Sequence, residues 1–254
     1  MYPHSFFWHY LWIAPQVLLI AVASLMVKRR LHREFPSFFT YAVFQIILNA
    51  VLFFLDHDAS VTGYQYRWAE WIGEIFSIAL RFAVIHEIVS VIFRSYPALK
   101  NLGIIAFRGA MAILGLIAVA VAVHNPGVGY FPYLFAGMTL LDRAIAIVQC
   151  GILVFLFLFS SYFKLSWRSY VFGIATGLGI FSATQLATAA VKAYLGPYPK
   201  DYLGDFVVMG MYHCSVLLWL FYFLLPEPVS PTIRLAPVHD LESWNDELRR
   251  LLQR

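Results

Sequence analysis

The stretch YQYRWAEWIGEIFSIALRFAVIHEIVSVIFRSYPALK, residues 64–100, decides the fold because it is apolar enough to cross a bilayer and still carries ionisable side chains. On a helical wheel of about 100° per residue, one stripe holds the polar side chains Glu70, Glu74, Ser77 and Arg81. Charged side chains are costly in contact with lipid tails, so this stripe should face other helices. The segment therefore predicts a membrane-embedded helical bundle that surrounds it.

The composition of the 254-residue chain indicates a polytopic membrane protein. The chain is 61% hydrophobic and 13% charged, whereas a soluble domain carries about 25% charged residues. The net charge of +4 does not indicate a nucleic-acid partner, because Lys and Arg lie in short clusters between apolar runs. Such clusters are typical of the cytoplasmic ends of membrane spans, and the expected partner is the lipid bilayer.

Apolar runs predict an all-α fold with seven membrane spans in a transmembrane domain of residues 1–229. The predicted spans lie within residues 10–27, 36–55, 64–100, 102–123, 131–163, 170–194 and 206–225. The fifth run is longer than a hydrocarbon layer of roughly 30 Å requires, which leaves the depth of Asp142 and Arg143 open. In the sixth span, Gly173 and Gly177 lie four apart and predict close packing against a neighbouring helix.

Basic residues near the ends of the spans predict the orientation. The predicted cytoplasmic side carries Lys28, Arg29, Arg30, Arg33, Arg94, Lys100, Lys164 and Arg168. The predicted outer side carries only Arg67, Lys192 and Lys200. We therefore expect a multi-pass protein of the cell inner (plasma) membrane, with its N-terminus outside and its C-terminus in the cytoplasm. Because Lys28 follows the first apolar run, that run should be a retained span and not a signal peptide.

Residues 230–254 form a cytoplasmic tail in this interpretation. Prolines keep its first part extended, after which Asp240 can cap a short amphipathic helix. The apolar face of this helix holds Leu241, Trp244, Leu248, Leu251 and Leu252, and its end holds Arg249, Arg250 and Arg254. Two interpretations stay open: the helix lies on the inner membrane surface, or it docks a cytoplasmic or membrane protein partner.

The candidate site is a polar cluster in the outer half of the bundle. Helix lengths put Glu70 and Glu74 in the outer third and Arg81 near mid-depth. The residues of other spans that could approach them are Asp142, Arg143, Gln185 and His213. Two interpretations remain: a charge-neutral network that orients helices, or an outward-facing pocket for a small polar or charged ligand.

Several other chemistries lack their signatures in this sequence. The adjacent His86 and Glu87 do not begin a zinc-binding HExxH motif, because Ser90 stands where the second His would be. We expect these two residues to form an interior pair near Arg94. The seventh span has no Lys to bind retinal, and no Gly-rich loop indicates a nucleotide site. The sequence therefore predicts no cofactor, no metal site and no catalytic residue.

The frame W-x-x-E-x-x-x-x-x-x-R that begins at Trp71, together with the YPAL of residues 96–99, resembles uncharacterised seven-span proteins of bacterial genomes. The wider architecture is similar to the seven-span sensory modules that precede bacterial histidine kinase or cyclase domains. These resemblances imply a receptor-like or sensory protein, or an accessory subunit of a membrane complex. A small-solute transporter or channel is the alternative, and an intramembrane enzyme is the second alternative.

Overall fold

The computed structural model of the chain describes residues 5–92, 109, 146–151, 154, 168–195 and 202–226. Within these ranges the regular structure is helical, without a strand. The elements are α1 (Phe6–Lys28), a 3₁₀ helix (Leu31–Arg33), α2 (Pro36–His57), α3 (Gly63–Ile92), α4 (Tyr170–Leu195) and α5 (Tyr202–Leu224). Residues 146–151 are also helical.

Within the described residues, four helical segments are long and apolar enough to cross a membrane. They are Phe6–Lys28, Pro36–His57, Tyr170–Thr188 and Leu203–Leu224. They correspond to the first, second, sixth and seventh predicted spans, and they make the described part an all-α, membrane-type structure. Helix α3 is not among them, although its 30 residues form a helix about 45 Å long. The fourth predicted span, most of the fifth and the tail of residues 230–254 lie outside the described residues.

Local capping explains where the first two helices begin. The hydroxyl of Ser5 accepts a hydrogen bond from the backbone N–H of Trp8 at 3.2 Å, which caps α1. Pro36 occupies the first turn of α2, as predicted, where its missing N–H costs nothing. The carboxylate of Glu87 accepts the next two backbone N–H groups of α2, from Ser37 at 2.9 Å and from Phe38 at 3.1 Å. Glu87 therefore caps α2, a role that the expected pairing with His86 did not include.

Among the described residues the five helices are arranged in a ring, and residues 146–151 pack against both α3 and α4. The order around the ring is α4, α5, α1, α2 and α3, and a smaller contact between α3 and α4 closes it. Buried aromatic and aliphatic side chains fill the half of the ring near the start of α2 and the end of α5. Phe38 and Trp219 meet there edge to face, with ring centroids 5.1 Å apart. The other half of the ring contains a cavity.

Small residues on α4 allow α5 to approach closely, as the spacing of Gly173 and Gly177 predicted. A Cβ atom at Gly173 would collide with the ring of Tyr222, and one at Gly177 would collide with the indole of Trp219. The indole N–H of Trp219 also donates to the backbone carbonyl of Ile174 at 3.4 Å. The bulky residues of α5 thus lie directly on the backbone of α4.

The two connections on opposite ends of the ring are fixed by polar contacts. Arg29, just after α1, donates to the last carbonyl of α5, that of Leu224, at 2.8 Å and to the next carbonyl, that of Leu225, at 2.9 Å. At the other end, between α2 and α3, the carboxylate of Asp58 accepts from the N–H of Ser60 at 2.9 Å and from its hydroxyl at 2.7 Å. These two hydrogen bonds lower the pKa of Asp58 below its ordinary value.

Candidate functional site

The cavity lies at the end of the ring where α1, α3 and α5 begin and where α2 and α4 end. It has a volume of about 350 Å³, within the range of small-molecule sites. All five helices contribute to its wall. The polar and aromatic lining residues are Trp8, Trp12, Gln16, Tyr41, Gln45, Asn49, Tyr66, Glu70, Glu74, Ser77, Arg81, Phe181, Gln185, Asp205 and Tyr212.

The polar stripe of α3 faces this cavity. The four side chains that the helical wheel grouped together, Glu70, Glu74, Ser77 and Arg81, all line it. On the opposite side of the same helix, Ile72 and Phe76 are 50% and 56% exposed. The expectation that the polar stripe faces other helices is therefore confirmed. The apolar side of α3 faces away from the other described helices.

Two side chains of the described helices hold Arg81 at the base of the cavity. Only 2% of the residue is exposed, and its Nη2 atom lies 2.8 Å from Oε1 of Glu74 in an ion pair. Its Nη1 atom donates to Oε1 of Gln185 on α4 at 3.5 Å. The side chain of Glu74 remains 44% exposed. The pair therefore joins a buried guanidinium to a carboxylate that is still accessible from the cavity.

Carboxamides continue the polar wall from α3 onto α2. The side-chain amide of Gln45 donates to the hydroxyl of Ser77 at 2.6 Å. One turn further along α2, the amide of Asn49 donates to the backbone carbonyl of Gln45 at 2.9 Å. These bonds orient the two carboxamides from one side, while both residues line the cavity. Amide groups can donate and accept, so this wall suits a ligand with either kind of polar group.

Among the described lining residues, negative charge is in excess. Three of these side chains are carboxylates, Glu70, Glu74 and Asp205, and one is a guanidinium, Arg81. Arg67 lies close enough to Glu70 to interact with it electrostatically, and the sum stays negative when Arg67 is included. Because the effective dielectric constant in a protein cavity is lower than that of bulk water, such an excess favours a cation more strongly than it would at an exposed surface.

Aromatic side chains also line the cavity, and reasoning from sequence did not predict them. They are Trp8, Trp12, Tyr41, Tyr66, Phe181 and Tyr212, from all five helices. Trp8 is also held edge to face against Phe206, with ring centroids 5.0 Å apart. The spacing of Trp8 and Trp12, four residues apart on α1, is the one sequence signal that could have placed two of them on a common face.

The remaining predicted site residues have different positions. Gln185 lines the cavity, as expected from its level on α4. His213 is not among the lining residues, because α5 presents Met209 and Tyr212 to the cavity and turns His213 toward α1. The ring of His213 lies 5.8 Å from the ring of Tyr10. The other two predicted residues, Asp142 and Arg143, lie outside the described residues.

Within the described ranges, no group of three or more His, Cys, Asp or Glu side chains is arranged to hold a metal ion. Comparison of the chain with known proteins finds no matching family model, no matching curated protein and no matching solved structure. The resemblance to seven-span bacterial proteins therefore stays a prediction. Function must be inferred from the chemistry of the cavity itself.

Proposed function

We propose that this chain is a receptor-like membrane protein whose cavity binds a small organic cation from the outer side. In this proposal seven spans cross the inner membrane, with the N-terminus outside and the C-terminus in the cytoplasm. The four apolar helices and the clustering of basic residues after α1 support that arrangement. The cavity then opens outward, since it lies at the end where α1 begins.

One observation carries the choice of ligand: carboxylates and aromatic rings converge on one cavity, and its described lining residues have a negative balance of charge. Aromatic faces attract organic ammonium groups through the ring quadrupole, by about 0.5–2 kcal/mol each. Glu70, Glu74 and Asp205 supply the countercharge, and the carboxamides of Gln45 and Asn49 can bond polar substituents of the ligand. Arg81 is a positioning residue in this site because its ion pair with Glu74 holds that carboxylate in place.

The interior beyond the cavity favours sensing over transport. Toward the other end of the ring, buried side chains such as Phe38, Val84 and Trp219 fill the space between the described helices. A ligand that enters the cavity thus meets a packed core below Arg81. Its binding energy can change how the helices pack, and we propose that the tail of residues 240–254 transmits this change to a cytoplasmic or membrane partner.

The test is to titrate the purified protein with choline and to monitor binding through the fluorescence of the cavity tryptophans Trp8 and Trp12. A neutral compound of the same shape, 3,3-dimethylbutan-1-ol, serves as the matched ligand control. Choline should bind, and the neutral compound should bind at least about tenfold more weakly, because a charge-assisted contact contributes about 1.5–3 kcal/mol. Glu70→Gln should weaken choline binding by about tenfold or more, whereas Glu34→Gln, an exposed carboxylate outside the cavity, should leave it unchanged.

Two results would contradict the proposal. Equal binding of choline and its neutral counterpart would show that the carboxylates do not select a cation. Uptake of radiolabelled choline into proteoliposomes, abolished by Glu70→Gln, would assign the cavity to transport instead of sensing. Binding without uptake is the expected outcome.

A further inference from the structure

Two histidines from different helices meet at the outer rim of the ring, outside the cavity lining. His9 lies near the start of α1, and His57 is the last residue of α2. Their Nε2 atoms are 3.2 Å apart, and their ring centroids are 5.4 Å apart at an interplanar angle of 62°. Because 48 residues separate them along the chain, no local spacing in the sequence predicts the pair.

The other ring nitrogen of each histidine contacts a backbone carbonyl of its own helix. Nδ1 of His9 lies 3.0 Å from the oxygen of Ser5, and Nδ1 of His57 lies 2.9 Å from the oxygen of Phe53. A carbonyl oxygen can only accept, so the hydrogen of each neutral ring is assigned to Nδ1. Both Nε2 atoms then present lone pairs toward each other, an arrangement that a shared positive ion stabilises.

We propose that the Nε2 atoms of His9 and His57 bind a divalent transition-metal ion such as Zn²⁺. In tetrahedral zinc sites the Zn–N distance is about 2.0–2.1 Å, which puts two ligating nitrogens about 3.4 Å apart. The 3.2 Å separation needs only a small adjustment to reach this value. Imidazole nitrogens suit zinc, copper and nickel and are poor ligands for magnesium and calcium.

The surroundings of the pair match those of known metal-binding histidines. Such residues usually donate their second ring N–H to a carbonyl or carboxylate, which fixes the tautomer and the ring orientation. Here both backbone carbonyls fill that role before any ion binds. Phe53 stacks on the ring of His57, with centroids 4.2 Å apart, and restricts its rotation. His57 is exposed, so water can occupy the remaining coordination positions of the ion.

A bound ion would tie the start of α1 to the end of α2 next to the cavity. Trp12, which lines the cavity, packs edge to face on Phe53 with centroids 5.6 Å apart. The metal site is thus one aromatic contact away from the cavity wall. It does not depend on the proposed organic cation, because neither His9 nor His57 lines the cavity.

The experiment is a calorimetric titration of the full-length protein, purified without a polyhistidine tag, with zinc chloride. We expect one Zn²⁺ per chain, and we expect His9→Asn and His57→Asn each to weaken binding by about tenfold or more, since each removes one of the two proposed imidazole ligands. His32→Asn, at the opposite end of α1, is the matched control and should not change the affinity. His57→Cys should retain binding because a thiolate also ligates zinc.

A second measurement uses the unmutated protein and does not depend on the folding of a variant. Diethyl pyrocarbonate modifies accessible imidazoles, and mass spectrometry maps the modified residues. Zinc should protect His9 and His57 while leaving His32 as reactive as before. Equal modification of His9 with and without zinc, or unchanged zinc affinity in both asparagine variants, would overturn the proposal and leave a pair that only shares a proton.

Discussion

The two partners of the ion pair between Glu74 and Arg81 differ in burial, and this difference predicts which partner is more important for stability. The side chain of Arg81 is 3% exposed, whereas that of Glu74 is 44% exposed. Glu74→Gln leaves a buried guanidinium whose counterion at 2.8 Å has been neutralised. Arg81→Met instead leaves a carboxylate that the cavity can hydrate. Replacing the more exposed partner should therefore be the more destabilising change.

The magnitudes follow from the burial of each group. Removing one partner of a fully buried pair costs about 3–5 kcal/mol of unfolding free energy. Glu74→Gln should cost about 2–3 kcal/mol, because its carboxamide oxygen still accepts from Arg81. Arg81→Met should cost only about 1 kcal/mol, since the exposed carboxylate gains water. The double variant leaves neither charge of the pair behind and should cost about as much as Arg81→Met alone, a coupling of about 2–3 kcal/mol.

Thermal unfolding in detergent, followed by tryptophan fluorescence, measures these differences. For a chain of this length, 1 kcal/mol shifts Tm by about 2–4 °C, so Glu74→Gln should lower Tm by about 4–12 °C. Arg81→Met should lower it by about 2–4 °C, and the double variant should resemble Arg81→Met. Glu34→Gln, an exposed control, should leave Tm unchanged. A larger loss for Arg81→Met than for Glu74→Gln, or additive losses in the double variant, would refute the reasoning.

Three further predictions concern the packing and orientation of the helices. Gly177→Ala should lower the unfolding free energy by about 1–3 kcal/mol, because its Cβ meets the indole of Trp219. Gly210→Ala, where a Cβ meets nothing within 4 Å, should be neutral or stabilising. The Tm of each variant relative to wild type measures the difference. Arg29→Gln should cost about 1 kcal/mol by losing its bonds to the end of α5, and Lys28→Gln should lower Tm less. A reporter that is active only in the cytoplasm should be active when fused after residue 254, and an inactive fusion would contradict the odd number of spans.

Sequence reasoning could predict the direction of the polar face of α3 because a strong physical constraint acts on a single helix. Ionic side chains avoid lipid, so the 3.6-residue period of Glu70, Glu74 and Arg81 was enough to place them toward other helices. The same holds for Gly177, since a small residue in a membrane helix indicates close packing even when the partner is unknown. Pro36 likewise marked the start of α2 through its own backbone chemistry.

Contacts between helices could not be predicted, because they depend on which helices become neighbours. Nothing within α1 indicates that Arg29 caps a helix 195 residues further along the chain. Asp205 lies in the first turn of α5, where it would be expected to stabilise the helix dipole, and only the closure of the ring brings it to the cavity. The opposite holds for His213. Its depth along the seventh predicted span was suitable for reaching the cavity, but the rotation of α5 about its axis directs it toward Tyr10.

Cysteine accessibility can show whether the polar stripe of α3 lines a water-accessible cavity that opens to the outer side of the membrane, as we propose. Cys150 and Cys214, both free thiols, are first replaced by Ala. Glu70→Cys and Ile75→Cys are then treated, in intact cells, with a maleimide that is soluble in water and cannot cross the membrane. The predicted result is rapid labelling of Glu70→Cys and little labelling of Ile75→Cys. Ile75 lies on the apolar side of α3, where lipid would shield it from a reagent dissolved in water. Labelling of Ile75→Cys with a protected Glu70→Cys would contradict the claim.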